Sequence, residues 1–382
     1  MTESDLPALL QHPADTPELP DALALLKPEA AARVAAIAKR AERIAAHASG
    51  AGTQRAYASA WKHYAAWCAG LGLPPLNGNA GVLALYLADR AGDVDADPQS
   101  GLAVSSLGVA RAAVLAEHRR HGVALDMHDA RLQAILQGVA RAKGTAPRRQ
   151  AAPAVPDILR LLLDAVASPA AAPVAATVRA ARDRALLLLG FGGGLRRAEL
   201  TALTIGDVAI VPGFGVQLLI RRAKGDQVGK GRKLGLYANP AEPEFCPQAA
   251  LEAWFVFRRG APDWTPPDDA SAEERRGWTA ARPLFCGVGR SGRLKPVALD
   301  SQAVARQLKA AAARAGLDAA AFSGHSLRRG ILTDAARRRE YVPALMRHSR
   351  HAKVETLLGY MEAADIWQDN PTEGVFRPKV KG

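Results

Sequence analysis

Between Gly144 and Pro156 the chain reads Gly-Thr-Ala-Pro-Arg-Arg-Gln-Ala-Ala-Pro-Ala-Val-Pro. A glycine and prolines at 147, 153 and 156, with no apolar periodicity between them, cannot continue a helix or sit inside a central strand. The stretch therefore cuts in two a chain of 382 residues, which is in any case too long for one ordinary core. We expect a tail and an amphipathic helix over 1–48, a smaller domain over 49–145, a basic linker over 146–156 and a larger domain over 157–382.

On both sides of the cut the dominant period is helical. Val34, Ile37, Ala41, Ile44 and Ala48 follow Pro28 at alternating spacings of three and four, with Ser49-Gly50 as the stop. From Thr53 to about Lys143 we read four helices. Thr53 is the expected cap of the first, whose stripe is Tyr57, Trp61, Tyr64 and Cys68. Asn79 caps the second, Ser105-Ser106 opens the third, and Asp129 starts the fourth. After Pro156, helices are expected over Asp157–Val166, about Ala175–Leu189, Pro247–Arg259 and Ser301–Ala315. Val208–Ile210, Val216–Arg222 and Arg232–Tyr237 read as short strands of one small antiparallel sheet. Residues 261–282 form a Pro- and charge-rich insertion, and Leu284–Cys286 reads as one more short strand. The expected class is mainly α with a small antiparallel β-sheet.

Charge narrows the function. The formal net charge is +13, with a pI near 10.0, and a basic protein of this size commonly meets a polyanion, nucleic acid above all. Cys68, Cys246 and Cys286 lie far apart, which argues against a disulfide framework or a zinc site and fits a reducing compartment. The N-terminus lacks the pattern of a signal peptide, and no apolar run reaches membrane-span length. We expect a cytoplasmic protein with no membrane partner.

The densest chemistry lies near the C-terminal end: Gly324-His325-Ser326-Leu327-Arg328-Arg329-Gly330, then His348-Ser349-Arg350-His351, then Leu357-Leu358-Gly359-Tyr360. His325 and Arg328 are three apart, so on a helix they serve one face. An imidazole beside a guanidinium grips a tetrahedral anion, because the arginine fork matches two phosphate oxygens. Tyr360 supplies a hydroxyl able to attack that phosphorus. The histidines also raise a metal site, but no carboxylate or cysteine stands at ligand spacing, and two arginines repel a cation. Earlier in the chain, Phe191-Gly192-Gly193-Gly194-Leu195-Arg196-Arg197-Ala198-Glu199-Leu200 breaks and restarts a helix, with glycines placed to let backbone approach an anion.

Together these residues resemble the tyrosine recombinase (phage integrase) family, over about Ser49 to Pro371. Gly194-Leu195-Arg196-Arg197-Ala198-Glu199-Leu200 is similar to its first arginine box, which implies a phosphate-binding Arg196 supported by Glu199. Ala223-Lys224-Gly225-Asp226-Gln227, on a strand-to-strand turn, resembles the catalytic-lysine hairpin; Lys230 and Lys233 share that hairpin as alternatives to Lys224. His325-Ser326-Leu327-Arg328 resembles the His-x-x-Arg box. His351 stands nine residues before Tyr360 and His348 twelve, so the spacing selects His351 for the third box and Tyr360 as nucleophile. Residues 53–143 resemble the four-helix core-binding domain, and 157–382 the larger catalytic domain.

The resemblance implies site-specific DNA recombination and integration through a 3′-phosphotyrosyl intermediate. Arg196 and Arg328 would clamp the non-bridging oxygens, Lys224 would protonate the leaving 5′-oxygen, His325 would assist proton transfer at the tyrosine, and His351 would donate to the phosphate. Two transesterifications conserve the number of phosphodiester-type bonds, so no cofactor and no metal is called for. The implied partners are double-stranded DNA, further copies of the chain as a homotetramer on two sites, and accessory DNA-bending proteins in some systems. Two rivals stand beside this reading: a protein of the same fold that binds or bridges DNA without cutting it, and a relaxing topoisomerase. Possession of all six polar groups favours an enzyme over a binder.

Overall fold

The computed structural model describes residues 28–46, 50–146, 150–221, 231–259, 271–351, 353–362 and 372. Its chain forms two compact units, Met1–Arg148 and Arg149–Gly382. The expected N-terminal tail and the tip carrying Lys224 and Lys230 lie outside the described residues.

Among its described residues the first unit contains helices and no strand: α1 (Pro28–Ala46), α2 (Ala51–Gly70), α3 (Ala80–Ala91), α4 (Val104–Arg120) and α5 (Ala130–Lys143). Helix α2 starts earlier than Thr53, with Gly50 in the cap position. The Asn79 side chain accepts from the Gly81 N–H, and Asp129 from the N–H groups of Arg131 and Leu132, so both polar caps satisfy donors a helix start leaves open. Tyr64, Cys68, Leu83, Leu87, Leu107, Val114 and Leu132 form the core, with the Tyr64 and Tyr86 rings edge to face at 5.0 Å. Each such fully buried leucine or valine contributes about 1.5–3 kcal/mol relative to exposure.

The second unit begins with α6 (Pro156–Val166) and α7 (Val174–Gly192). Leu186, Leu187, Leu188 and Leu189 of α7 are all buried, so this helix is covered on every side rather than along one stripe. Helix α8 (Arg197–Ala202) leads into β1 (Val208–Val211), β2 (Gly215–Ile220) and β3 (Arg232–Tyr237), an antiparallel sheet in that order. Its inner face pairs Val216 with Leu236 and Leu218 with Leu234, all buried. Then come α9 (Pro247–Arg259), α10 (Ala272–Ala280), β4 (Cys286–Val288), β5 (Leu294–Ala298) and α11 (Ser301–Arg314). The antiparallel β4–β5 pair is a second small sheet; β5 and α10 were not expected from the sequence. On α9, Trp254 is fully buried and its Nε1–H donates to the Leu284 carbonyl at 2.9 Å.

Three further helices, α12 (Ser326–Arg337), α13 (Val342–Ser349) and α14 (Val354–Glu362), share a small cluster of Leu332, Ala335, Leu345 and Leu357 with Tyr360 packed against it. The end of the expected linker is built into this unit. The Ala152 N–H donates to the Ala321 carbonyl and the Ala154 N–H to that of Ser326, at 2.8 and 2.9 Å. Ala154 is fully buried, and a Cβ placed on Gly330 would lie 2.0 Å from its carbonyl oxygen. The apolar stretch Ala151-Ala152-Pro153-Ala154 is thus a strap under α12, held by the buried backbone pairing that an enclosed chain requires.

Candidate active site

The site grows from two places where a helix is interrupted. After α7, Gly193 and Gly194 turn the chain, Gly194 with a φ of +51° that favours glycine, and α8 restarts at Arg197. After α13, Arg350 takes a φ of +59° as C-cap, and the chain turns back into α14. The two turns meet around one carboxylate.

Glu199, in the first turn of α8, is nearly enclosed, with its side chain 4% exposed. Its Oε2 accepts from the Arg196 N–H at 2.9 Å and from Arg350 Nη2 at 2.8 Å, while Oε1 accepts from Arg196 Nη1 at 2.7 Å. Burial pushes the Glu199 carboxyl up, but Arg350 and Arg196 outweigh it and hold the group below its ordinary value. Arg328, on α12, is buried, with Nη1 donating to the Gly194 carbonyl at 2.6 Å. Its Nη2 donates to the Ser349 carbonyl and to His351 Nε2, the latter at 3.0 Å. Desolvation, then the repulsion of Arg196 and Arg350, lowers Arg328 to about 10. It stays protonated at neutral pH.

His351 is fixed by both ring nitrogens. Arginine only donates, so Nε2 accepts and Nδ1 carries the proton toward Ser349 Oγ at 2.8 Å. Burial, followed by the fields of Arg328, Arg196 and Arg350, pushes this imidazole down to about 4, so it is neutral. Both nitrogens of His351 are thus engaged, by Arg328 and by Ser349. Its ring lies 5.8 Å from that of Tyr360, and the Arg329 guanidinium is also 5.8 Å from the Tyr360 ring. Arg329 Nη1 in turn donates to Gln150 Oε1 at 2.8 Å.

Arg196, Glu199, Arg328, His351 and Tyr360 are thus brought together. His348 is not part of that set: its Nε2 donates to the Gly192 carbonyl at 2.7 Å, and burial lowers its pKa. Of the two histidines, the one bonded to Arg328 is His351. His325 is exposed at the N-cap of α12, its N–H donating to Ser323 Oγ at 3.1 Å. Lys224 lies outside the described residues; Lys233 is exposed on β3.

Sequence reasoning gave Arg350 no role, although its side chain is only 2% exposed and touches Glu199. The available signal was the lack of any glycine between α13 and α14 where a helix end usually wants one, which forces a side-chain-bearing residue into the turn. The result is three guanidinium groups around one carboxylate, an excess of positive charge suited to an anion whose charge grows during reaction.

The fold is that of tyrosine recombinase catalytic domains. A post-cleavage complex of the XerH site-specific recombinase, bound to a palindromic difH substrate, superposes with a TM-score of 0.51 at 20% identity, over 76% of this chain and 70% of that one. No family model matches the chain. In sequence, it is 29% identical over 331 residues to the integrase/recombinase xerD homolog of Selenomonas ruminantium, covering 85% of each chain.

Proposed function

We propose that this protein is a site-specific DNA recombinase that cuts and rejoins double-stranded DNA through a 3′-phosphotyrosyl intermediate, with Tyr360 as nucleophile. The observation that carries this is one connected set: Glu199 holds Arg196 and Arg350, Arg350 shares the Gly194 carbonyl with Arg328, and Arg328 bonds His351, whose ring lies 5.8 Å from that of Tyr360. The likeness to the xerD homolog, along nearly the whole chain, supports it.

In the first step the Tyr360 oxygen bonds to the scissile phosphorus, the bond to the 5′-oxygen breaks, and the phenolic proton leaves. A phenol of pKa near 10 is a poor nucleophile at neutral pH until that proton is taken. Exposed His325, at the N-terminal end of α12, is the base we assign. Arg196 and Arg328 hold the two non-bridging oxygens as charge accumulates, and loss of one such donor costs on the order of 10²–10³ in rate. His351 acts through Arg328, whose fork it aims, and needs no proton of its own to do so. Lys224 hands a proton to the departing 5′-oxygen. In the second step a 5′-hydroxyl, from the same or a partner duplex, attacks the phosphotyrosine and frees Tyr360. Exchange between two duplexes uses four such sites, which gives the homotetramer on DNA; accessory DNA-bending proteins belong to this reading as partners that set direction. The unit of residues 49–145 clasps the duplex and the unit of 157–382 cuts it.

The test is covalent capture. Cells expressing the chain are lysed in detergent, protein-linked DNA is recovered under denaturing conditions, and the strand attached through its 3′ end is sequenced. A defined junction, present with wild type and absent with Tyr360→Phe, is the expected result. Protein that holds DNA but yields no adduct beyond the Tyr360→Phe background would make it a binder. Adducts scattered without a shared sequence, with plasmid relaxation, would make it a topoisomerase.

A further inference from the structure

Arg350 is costly to place where it is. It is a non-glycine residue at φ +59°, in the left-handed region where side chains crowd the backbone. It is 5% exposed, and its Nε has no hydrogen-bond partner among the described residues. Its other four donors are used on the site. Nη1 donates to the carbonyls of Gly193 and His348 at 3.1 and 2.8 Å, and Nη2 to the Gly194 carbonyl and Glu199 Oε2 at 2.9 and 2.8 Å. The Gly194 carbonyl is shared with Arg328, and Glu199 is shared with Arg196. Arg350 therefore touches the supports of both clamping arginines, and its four Nη donors are all taken up by them and by the two turns.

A simple ledger of charge says what this does. Were Glu199 paired with Arg196 alone, its full negative charge would oppose the cation needed at the phosphate. With Arg350 on the other oxygen, the carboxylate is balanced from behind, and Arg196 keeps its charge for the substrate while remaining oriented. We propose that Arg350 is a positioning residue for strand cleavage: it neutralises Glu199 and fixes the Gly193-Gly194 turn, so that Arg196 and Arg328 face the scissile phosphate with their charges unspent. This rests on the recombinase reading above.

The test uses the full chain and a nicked suicide duplex of the captured junction sequence, made in two forms. One carries the ordinary scissile phosphodiester, the other a methylphosphonate there, which removes one non-bridging charge and with it much of the demand for cations. Arg350→Gly relieves the left-handed backbone while deleting the side chain; Arg350→Lys keeps a cation but loses the fork. We expect Arg350→Gly to form the phosphodiester adduct on the order of 10² more slowly than wild type, with duplex affinity within about threefold. On the methylphosphonate its deficit should be at least about tenfold smaller. Arg350→Lys should lie between wild type and Arg350→Gly on the phosphodiester. Equal deficits on both substrates would mean a role in folding alone and would overturn the inference, as would an unchanged phosphodiester rate. Should Arg350→Gly fail to fold, the same comparison of substrates in Arg350→Lys decides: a selective phosphodiester deficit supports the inference and an equal one sinks it. If wild type itself forms no adduct, the recombinase reading has failed, and that outcome is separate from any behaviour of the Arg350 variants.

Discussion

Replacing Glu199 by Gln tests how much of the catalytic unit hangs on one carboxylate. The change is nearly isosteric, so no cavity opens and the effect is electrostatic. Glu199 accepts three hydrogen bonds through two oxygens, whereas an amide has one oxygen and must turn its NH₂ toward a donor. Two guanidinium groups also lose their counter-charge. Arg196 has a side chain 21% exposed and recovers part of the loss from water, but Arg350 at 2% recovers little. Breaking a buried pair by removing one partner costs about 3–5 kcal/mol. For a domain of this size that is about 2–4 °C per kcal/mol, or a fall in Tm of about 6–20 °C. Calorimetry of both proteins in reducing buffer measures it, and the transition of the larger unit is the one that should move. The pH dependence supplies a second check. Because Glu199 is held below its ordinary carboxyl value, its contribution is complete above the unfolded pKa of about 4.3 and is lost as pH falls through the folded one. The gap between the two proteins should therefore be constant from about pH 6 to 8 and close only in stronger acid. A Tm shift below about 2 °C at neutral pH would show that the carboxylate is not carrying its two arginines.

Three more outcomes are expected. Arg328→Lys preserves a cation but cannot span Gly194, Ser349 and His351, so adduct formation should fall on the order of 10² while duplex binding holds; loss of binding instead would move Arg328 out of the clamp. The His351 ring, followed by NMR, should stay neutral well below its ordinary value of 6.5, protonating near pH 4. Between those values the unfolded chain takes up a proton that the folded one refuses, so stability should decline as pH drops through that window; protonation near 6.5 in the folded protein would contradict the buried geometry. Gly330→Ala puts a methyl group 2.0 Å from the Ala154 oxygen, which should unseat the strap, lower Tm by several degrees and open residues 150–155 to protease, whereas an unaltered cleavage pattern would refute that packing.

Much of this architecture was readable because the signals were local. Asn79 and Asp129 announce helix starts by the same side-chain bonds the structure contains, and alternating Val216, Leu218 and Ile220 announce a strand with one buried face. Helix α10 escaped because it has no apolar stripe and buries nothing fully. Its one legible mark was the Ser271–Glu274 capping box. Strand β5 escaped because Pro296 sits inside it, which is tolerable only in a pair with a free edge. Thr53 misled as a cap because Gly50 could start the helix with backbone alone. At the site, the resemblance to the recombinase boxes singled out Arg196, Glu199, Arg328, His351 and Tyr360, since box order is a property of the chain. The role of Arg350 was hidden because it depends on two turns 156 residues apart sharing one carbonyl, a meeting that no local pattern encodes.

The strap beneath α12 has a mechanical consequence. Ala154 is seated against Gly330, two positions along the helix from Arg328, and Gln150 grips Arg329 beside the tyrosine. The strap therefore bears directly on the helix that carries Arg328, the residue proposed to clamp the phosphate. Grafted or trimmed versions of this protein should be spliced upstream of Gln150, leaving the strap whole.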